Sequence, residues 1–200
     1  MASDSTSPLV GLVSKEDAPP EVRAVYDAAE PVYGRLLHTW QALAQRPEIF
    51  TAYLHYLRSI IGPGELEQRI KELVEVRTVV LCRCLYSTSH RVRSARAAAV
   101  ADKDIVAVAR GELDGFDARE RLALELAEAL TVLPASVPYA DAPQLVPDDM
   151  LVRVREAFSE PQIVELVATI GLWNALARFH RVMGFALDMD APPGEVVAEL

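Results

Sequence analysis

The longest apolar stretch of the chain, from Pro161 to Met183, limits the folds that are open to it. Ser159 and Gln162 form a helix-start signal and Gly184 follows the stretch, so we expect one long helix here. The stretch also carries several polar and charged residues: Glu165, Asn174, Arg178, His180 and Arg181. A membrane span tolerates few such groups. The sequence therefore predicts a helix buried in the core or in a subunit interface, and no membrane association.

The other apolar segments also follow the period of a helix, and proline or glycine separates them. One stripe runs from Pro47 to Ile61 and ends at Gly62-Pro63-Gly64. The segment Glu65 to Leu81 is rich in β-branched residues and could form a strand, but the apolar positions leading into it keep the helical period. We therefore predict an all-α protein of about eight to nine helices. The proline-rich connection from Pro134 to Pro147 should be a packed loop or a lid.

Length and charge bound the organisation and the partners of the chain. Its 200 residues suit one domain, which we place at residues 18–187, with a flexible lead-in at 1–17 and a loose tail at 188–200. The net charge of −9 argues against binding to nucleic acid, because phosphate contact needs a basic surface. No signal peptide is visible in residues 1–18, and two cysteines one residue apart do not form a disulfide framework. These features predict a cytoplasmic protein.

The segment from Glu72 to Arg96, ELVEVRTVVLCRCLYSTSHRVRSAR, holds the densest set of reactive side chains in the sequence. A thiol such as that of Cys84, at a helix N-terminus near arginines, is shifted toward the reactive thiolate. Ser87 and His90 would share a helix face. If the helices on either side of the cysteines pack as an antiparallel pair, a carboxylate such as Glu72 could face His90 and set up proton transfer.

These residues also have plainer interpretations. A cysteine in an apolar helix is more often a small core residue, and a run of arginines is more often a solvated face. In so acidic a chain, however, the arginines could attract a carboxylate substrate. The spacing of the four histidines predicts no metal site.

Four stretches of the sequence resemble the carboxymuconolactone decarboxylase / AhpD-like family, over roughly residues 16–187. They are EDAPPEVRAVYD, LAQRPEIFTAYLHYLRSIIGPGELEQRIKELVEVRTVVLCRCLYSTSH, DARERLALELAEALT and FSEPQIVELVATIGLWNALARFHRVMG. The resemblance implies an all-helical fold and a homo-oligomer, whether dimer, trimer or hexamer. In the decarboxylase branch it implies chemistry on a small lactone acid without cofactor or metal. In the alkyl hydroperoxidase branch it implies a C-x-x-C pair that cycles between dithiol and disulfide while a glutamate and a histidine relay protons.

The hydroperoxidase pattern is a glutamate, eleven residues, C-x-x-C, three residues and a histidine, and this chain matches it in part. Glu72 and Cys84 keep the eleven-residue gap. The second cysteine position then falls on Ser87, and His90 comes one residue early. A register anchored on His90 would instead place the cysteine positions on Arg83 and Tyr86. We prefer the first register because it keeps Glu72, Cys84 and Tyr86 together. In either register the C-x-x-C pair is lost.

Three hypotheses follow from this partial match. The first is a decarboxylase-like enzyme without cofactor, acting on a small molecule, possibly a carboxylic acid. His90 and Glu72 would be acid and base, and Arg91 would hold the carboxylate. The second is a thiol-dependent peroxidase or disulfide reductase that uses Cys84. The third is a non-catalytic binding protein on the same fold. The predicted site comprises the catalytic residues Glu72, Cys84, Ser87 and His90 and the substrate-binding residues Tyr86 and Arg91.

Overall fold

The computed structural model describes residues 7–132, 138, 141 and 143–200. Within these ranges the chain forms ten helices and no strand. They are α1 (Pro20–Tyr33), α2 (His38–Leu43), α3 (Pro47–Ile61), α4 (Gln68–Leu81), α5 (Leu85–Ala97), α6 (Asp102–Arg110), α7 (Ala118–Val132), α8 (Asp148–Ala157), α9 (Glu160–Met183) and α10 (Gly194–Val197). The all-α prediction is confirmed. The predicted number of helices was one too low, because α10 lies in the segment expected to be a loose tail. The predicted loop or lid between Pro134 and Pro147 lies largely outside the described residues.

Helix α4 is the centre of the fold. Every residue from Ile70 to Val80 is buried, and the helix packs against α5, α6, α7 and α9. Different faces of α4 contribute to three apolar clusters: Val74 packs with α7 and α9, Leu73 with α5 and α6, and Val79 with α3 and α9. Burial on all sides stabilises this helix despite its β-branched residues, because tertiary packing outweighs helix propensity.

Four charged side chains of α4 are buried with it. A buried charge is costly unless a partner compensates it, and each of the four has a polar partner on another helix. The pairs are Lys71 with Glu165, Glu72 with Ser94, Glu75 with Arg91, and Arg77 with Glu128. The centre of the fold is thus organised by polar pairs as well as by apolar contacts.

The chain breaks between α4 and α5 at the two cysteines. The amide of Cys84 donates to the carbonyl of Val79 at 3.2 Å, and the amide of Arg83 donates to that of Val80 at 2.8 Å. This pair of bonds is a Schellman motif, and Arg83 takes the left-handed conformation, with a φ of 52°, that the motif requires. Cys84 is therefore the N-cap residue of α5.

Helix α9 begins with the predicted capping box, in which Ser159 and Gln162 satisfy each other's backbone, and it ends at Gly184. One face packs into the core. The opposite face carries exposed valines, of which Val164 is 70% accessible. Helix α9 is therefore an outer helix of the single chain, and α4 takes the central place. In the described ranges, no helix has the length and apolar character needed to cross a membrane.

The segment beyond residue 187 is packed against the domain, so the interpretation of residues 188–200 as a loose tail is wrong. The side chain of Asp188 is 2% accessible and accepts hydrogen bonds from three residues, and Val196 is buried in the core beside α6. Two residues, Asp188 and Val196, anchor this segment. So few contacts leave no periodic pattern in the sequence, and the anchoring was therefore not predicted. In the N-terminal lead-in, the amide of Leu9 donates to the carbonyl of Met183 and the amide of Val13 donates to that of Gln41. Residues 1–6 lie outside the described part.

Candidate active site

A cavity of about 50 Å³ lies between α2, α3, α5 and α9. One buried water needs roughly 10–15 Å³, so this cavity has room for a few waters or for a small anion. Its walls combine leucine and isoleucine side chains with a set of polar and aromatic residues, among them Thr39, Tyr53, His90, Arg91, Trp173 and His180. Two of the predicted site residues, His90 and Arg91, therefore face a common cavity.

A carboxylate from beyond α9 holds His90. Nε2 of His90 lies 2.6 Å from Oδ1 of Asp188, whose Oδ2 accepts from the Tyr86 hydroxyl at 2.6 Å and from the His38 amide at 2.8 Å. Burial raises the pKa of Asp188, but the hydrogen bonds from His90 and Tyr86 outweigh it and the net shift is downward. Burial lowers the pKa of His90. A neutral imidazole thus donates Nε2–H to an ionised carboxylate and keeps the lone pair of Nδ1 as a base.

Arg91 brings hydrogen-bond donors to the cavity wall. Its Nη1 donates to Oε2 of Glu75 at 2.7 Å, and its guanidinium lies 4.0 Å above the ring of Trp173. Burial raises the pKa of Glu75, and the charge of Arg91 opposes that rise. Nε of Arg91 is buried without a partner in the described part of the chain. The Nε1–H of Trp173 makes no hydrogen bond of good geometry, but it lies near enough to Glu75 to hold the pKa of that carboxyl down. An unpartnered buried N–H group is rare in folded proteins. The one on Arg91 belongs to a residue that lines the cavity, where an anion could accept from it.

Cys84 and Ser87 lie next to each other, and Ser87 contacts the ring of His180. The sulfur of Cys84 accepts from the backbone N–H of Ser87 at 3.4 Å, and the Ser87 hydroxyl is 3.1 Å from it. The same hydroxyl is 2.8 Å from Nδ1 of His180, whose Nε2 is 2.9 Å from the hydroxyl of Thr39. Ser87 therefore occupies the place beside the first thiol that the preferred register assigns to the second cysteine.

The predicted contact between Glu72 and His90 is wrong, because the carboxylate beside His90 is that of Asp188. Glu72 does face α5, but its Oε1 accepts from Gln68 at 2.8 Å and from Ser94 at 3.0 Å. It is not among the residues that line the cavity. Its Oε2 is buried without a partner in the described ranges. A catalytic role for Glu72 remains a prediction.

The second cysteine is placed away from this group. Both thiols are free, and Cys82 caps the C-terminus of α4. Its sulfur is 3.6 Å from Oδ1 of Asn174 and 3.8 Å from Nη1 of Arg178. Burial raises the pKa of this thiol, and Arg178 opposes the rise. The environment of Cys82 thus disfavours the thiolate.

Sequence reasoning missed three residues of the site, Thr39, His180 and Asp188. His180 could have been found, because it falls at helical spacing on the apolar face that α9 buries, with Trp173, Leu176 and Ala177. Thr39 and Asp188 carry no comparable signal. Within the described residues, no group of three or more His, Cys, Asp or Glu side chains is arranged to hold a metal ion.

We predict that acid destabilises the fold through His180. Burial lowers the pKa of His180 to about 3, so below its ordinary value of roughly 6.5 the unfolded chain binds a proton that the native protein does not. Stability from this group is present above that value and is lost as the pH falls. The expected loss is roughly 2 kcal/mol at about pH 5 relative to about pH 8, and His90 adds to it in the same direction.

Urea unfolding at the two pH values, compared with His180→Gln, measures this effect. The variant should show a smaller difference between the two pH values, even if it is less stable at both. Glu75 contributes with the opposite sign but is common to both proteins, so it cancels in the comparison. An equal pH dependence in the two proteins would contradict the prediction.

The helical architecture places the protein in a known class of folds. The structure of an alkylhydroperoxidase AhpD core, an uncharacterized peroxidase-related protein from Ralstonia eutropha JMP134, matches with a TM-score of 0.77 and 19% identity over 95% of this chain and 94% of that one. The ligand-free debrominase Bmp8 matches with a TM-score of 0.75 and 20% identity, over 96% of this chain and 97% of Bmp8. At these identities the likeness establishes an AhpD-like fold.

Sequence comparison adds the family. The model of the carboxymuconolactone decarboxylase family matches residues 47–129. The uncharacterized protein YnjA of Escherichia coli (strain K12) is 31% identical over 138 residues, which are 68% of this chain and 67% of YnjA. The chain belongs to the carboxymuconolactone decarboxylase / AhpD-like family, as the resemblance predicted.

Proposed function

We propose that the protein is an enzyme that carries out proton transfer or decarboxylation on a small carboxylic acid bound in the cavity of His90, Arg91 and His180. The observation that carries this proposal is the cavity itself, which is lined by the neutral histidine His90 and by Arg91, whose Nε–H has no partner in the described part of the chain. Members of the family include enzymes, and the decarboxylase branch uses a small lactone acid without a cofactor. A homo-oligomer, as the family resemblance implies, is part of the proposal.

The unpartnered donor of Arg91 suits a carboxylate. Nε of Arg91 would donate one hydrogen bond to a substrate oxygen, and the guanidinium, which lies over the ring of Trp173, adds its positive charge. Charge-assisted bonds of this kind are the stronger ones in proteins. Nη1 of the guanidinium donates to Glu75 at 2.7 Å, and this bond favours one orientation of Arg91. The cavity is small for a whole ligand, so a substrate larger than a few atoms would need its apolar wall to move.

His90 supplies the base. Its Nδ1 would take a proton from a carbon next to a carbonyl group, and Asp188 would stabilise the imidazolium that forms. The imidazolium then returns the proton to the product. In a decarboxylation the bond between the carboxylate carbon and the substrate chain breaks and its electron pair stays with the chain. A proton from water, taken up on Nδ1 of His90, then replaces the released CO2 on that carbon.

Replacing His90 with glutamine tests this function. Loss of a positioned general base should lower turnover by roughly 10²–10⁴-fold while the helical content stays unchanged. We would incubate the protein with small lactone carboxylic acids and 3-oxo acids in deuterated water and follow deuterium incorporation and CO2 release by NMR. His55→Gln is the matched control, because His55 is an exposed histidine of α3 outside the cavity. Equal turnover by wild type and His90→Gln on an accepted substrate would refute the proposal.

A second candidate is thiol chemistry at Cys84, and the arrangement around its sulfur favours it. Cys84 is the N-cap of α5, and both the amide and the hydroxyl of Ser87 approach the sulfur. A thiolate that attacks a peroxide forms a sulfenic acid and releases an alcohol or water, and an external thiol would then reduce the sulfenic acid. The peroxidase-related structural neighbours support this alternative.

The substitution Ser87→Cys separates the two candidates. The short distance from the Ser87 hydroxyl to the Cys84 sulfur, 3.1 Å, predicts that the variant forms a disulfide between positions 84 and 87 on mild oxidation. For thiol chemistry, dilute peroxide should convert Cys84 of the wild type to a sulfenic acid, and the variant should gain peroxide turnover with a dithiol reductant. Trapping and mass spectrometry read both, with Cys84→Ser as control. An unmodified Cys84 in the wild type would exclude this second candidate.

A further inference from the structure

An apolar groove lies on the outer surface of the domain, between α3 and α9. Its volume is about 670 Å³, and leucine, isoleucine, tyrosine and alanine side chains form most of its walls. Sites for small-molecule ligands typically have volumes of roughly 300–1,000 Å³ and mainly apolar walls. The groove therefore has the size and the character of a binding site, whereas the cavity of His90 and Arg91, at about 50 Å³, is too small to hold a whole ligand.

The side chain of Tyr53 separates the groove from the cavity, because it lines both of them. Burial raises the pKa of its phenol, and the charge of Arg91 opposes the rise, so the hydroxyl end lies on the cavity side. The residue as a whole is only half-buried, because its ring also faces the groove. Tyr53 is thus part of the wall between the two spaces.

Gly171 gives the groove its depth. It lies in the middle of α9, where glycine is less favourable than alanine. A Cβ atom added to Gly171 would meet no atom of another helix within 4 Å in the described part of the chain. Packing inside this chain therefore does not require a glycine here. The open space above it belongs to the groove, whose floor also includes the small side chains of Ala52 and Ala175.

The distribution of charge gives a ligand one orientation. Among the described residues that line the groove none is basic, and the charged one is Glu48, which lies 3.8 Å from Arg46 at the start of α3. The groove thus suits an apolar group and offers nothing that would hold a carboxylate. On the other side of Tyr53, Arg91 carries a positive charge and an unpartnered Nε–H. A carboxylate would therefore bind on the cavity side of Tyr53 and an apolar group on the groove side.

We propose that the substrate is a carboxylic acid with an apolar tail, whose carboxylate binds at Arg91 in the cavity and whose tail lies in the groove between α3 and α9. Tyr53 is the gate between them. Its ring turns aside to let the carboxylate pass, and the tail then occupies the opening in the wall. The inference rests on the proposed function for the role of Arg91 and adds the class of substrate.

A series of saturated linear acids, from butanoate to decanoate, tests the length of the tail. Burial of one methylene group raises affinity by up to about fourfold, so affinity measured by calorimetry should rise with each added methylene. Both tryptophans of the chain, Trp40 and Trp173, line the cavity, so a change in their fluorescence shows that the carboxylate has entered it. Equal affinities for butanoate and decanoate would overturn the proposal. Binding of decanoate without a change in fluorescence would do so too.

Gly171→Leu fills the groove and leaves the residues of the cavity unchanged. The variant should fold, because leucine is the better helix former and the space above Gly171 is open. It should bind decanoate at least about tenfold more weakly than the wild type, since several methylene groups lose their site, and butanoate equally well. Val182→Leu is the matched control, because Val182 is an exposed residue of the same helix outside the groove. An unchanged affinity of Gly171→Leu for decanoate would refute the proposal.

Two substitutions of Tyr53 test the gate. Leucine is too small to close the wall, so Tyr53→Leu should bind decanoate several-fold faster than the wild type. Tyr53→Phe keeps the ring and should bind at the wild-type rate. Tryptophan fluorescence after rapid mixing measures all three rates, and equal rates would show that Tyr53 is not a gate.

A second copy of this chain is the other possible occupant of the groove, and light scattering tests it. If Gly171→Leu changes the mass of the particle but not the affinity for decanoate, the groove is a subunit interface and the proposal is wrong. None of these measurements uses turnover. Affinity that rises with tail length, together with equal turnover by wild type and His90→Gln, would support this inference and refute the proposed function. Turnover that needs His90, together with affinity independent of tail length, would do the reverse.

Discussion

Glu165→Ala should lower the free energy of unfolding by about 3–5 kcal/mol, because it leaves a buried ammonium group without its countercharge. Lys71 is fully buried and pairs with Glu165, and its remaining donors reach the carbonyls of Ile60 at 3.1 Å and Gly62 at 2.7 Å. Glu165 also accepts from the amides of Glu65 and Leu66, each at 2.8 Å. The substitution thus removes a charge partner and the acceptor for two backbone groups. Urea unfolding at neutral pH measures the loss.

Glu125→Ala is the matched control for this prediction. Glu125 also pairs with a basic residue of another helix, Arg153 at 2.6 Å, but both side chains are partly accessible. Solvent screens such a pair, so its loss should cost about 0–1 kcal/mol. Similar small losses in Glu165→Ala and Glu125→Ala would show that burial of Lys71 does not have the expected consequence.

Arg91→Met should destabilise the protein by a similar amount, about 3–5 kcal/mol, because Glu75 is then buried without a partner. The side chain of Glu75 is 2% accessible and that of Arg91 is 12% accessible. The double variant Arg91→Met/Glu75→Met removes both charges and should recover most of the lost stability. Urea unfolding of the two single variants and the double variant gives the coupling energy. Strictly additive losses would contradict this account of the pair.

The same double variant separates stability from function. If Arg91 holds the substrate carboxylate, the double variant should remain inactive although its stability is largely restored. Activity is measured with the acids used for His90→Gln. A stable and active double variant would remove Arg91 from the proposed site and would leave His90 as the tested group.

Much of the fold follows from local chemistry, and local chemistry can be read from the sequence. The capping box of Ser159 and Gln162, the end of α9 at Gly184 and the start of α3 at Pro47 are found where the sequence predicts them. Each depends on residues within one or two turns of helix, so no knowledge of the tertiary structure is needed. The resemblance to the family was likewise visible in the sequence, in the order and spacing of four stretches between residues 16 and 187.

The site could be predicted only in part. Ser87 lies beside Cys84 because both belong to the first turn of α5, a local relation that the spacing captures. His90 and Arg91 reach the same cavity because they follow on that helix. Glu72 is the predicted carboxylate partner of His90, but the partner in the structure is Asp188. Glu72 is on the neighbouring helix, but the packing of α4 against α5 directs it to Ser94.

The sequence by itself determined nine of the ten helices of the described ranges, the two ends of α9, the family and the segment that carries the reactive side chains. Only the tertiary structure decided which of those side chains meet. His90 contacts Asp188, which is 98 positions away in the sequence, and Ser87 contacts His180, which is 93 positions away. Helical periodicity states which face of a helix is buried, but it does not state which distant residue is buried against that face. The segment from Glu72 to Arg96 therefore became a site through a threonine, a histidine and an aspartate supplied by three other parts of the chain.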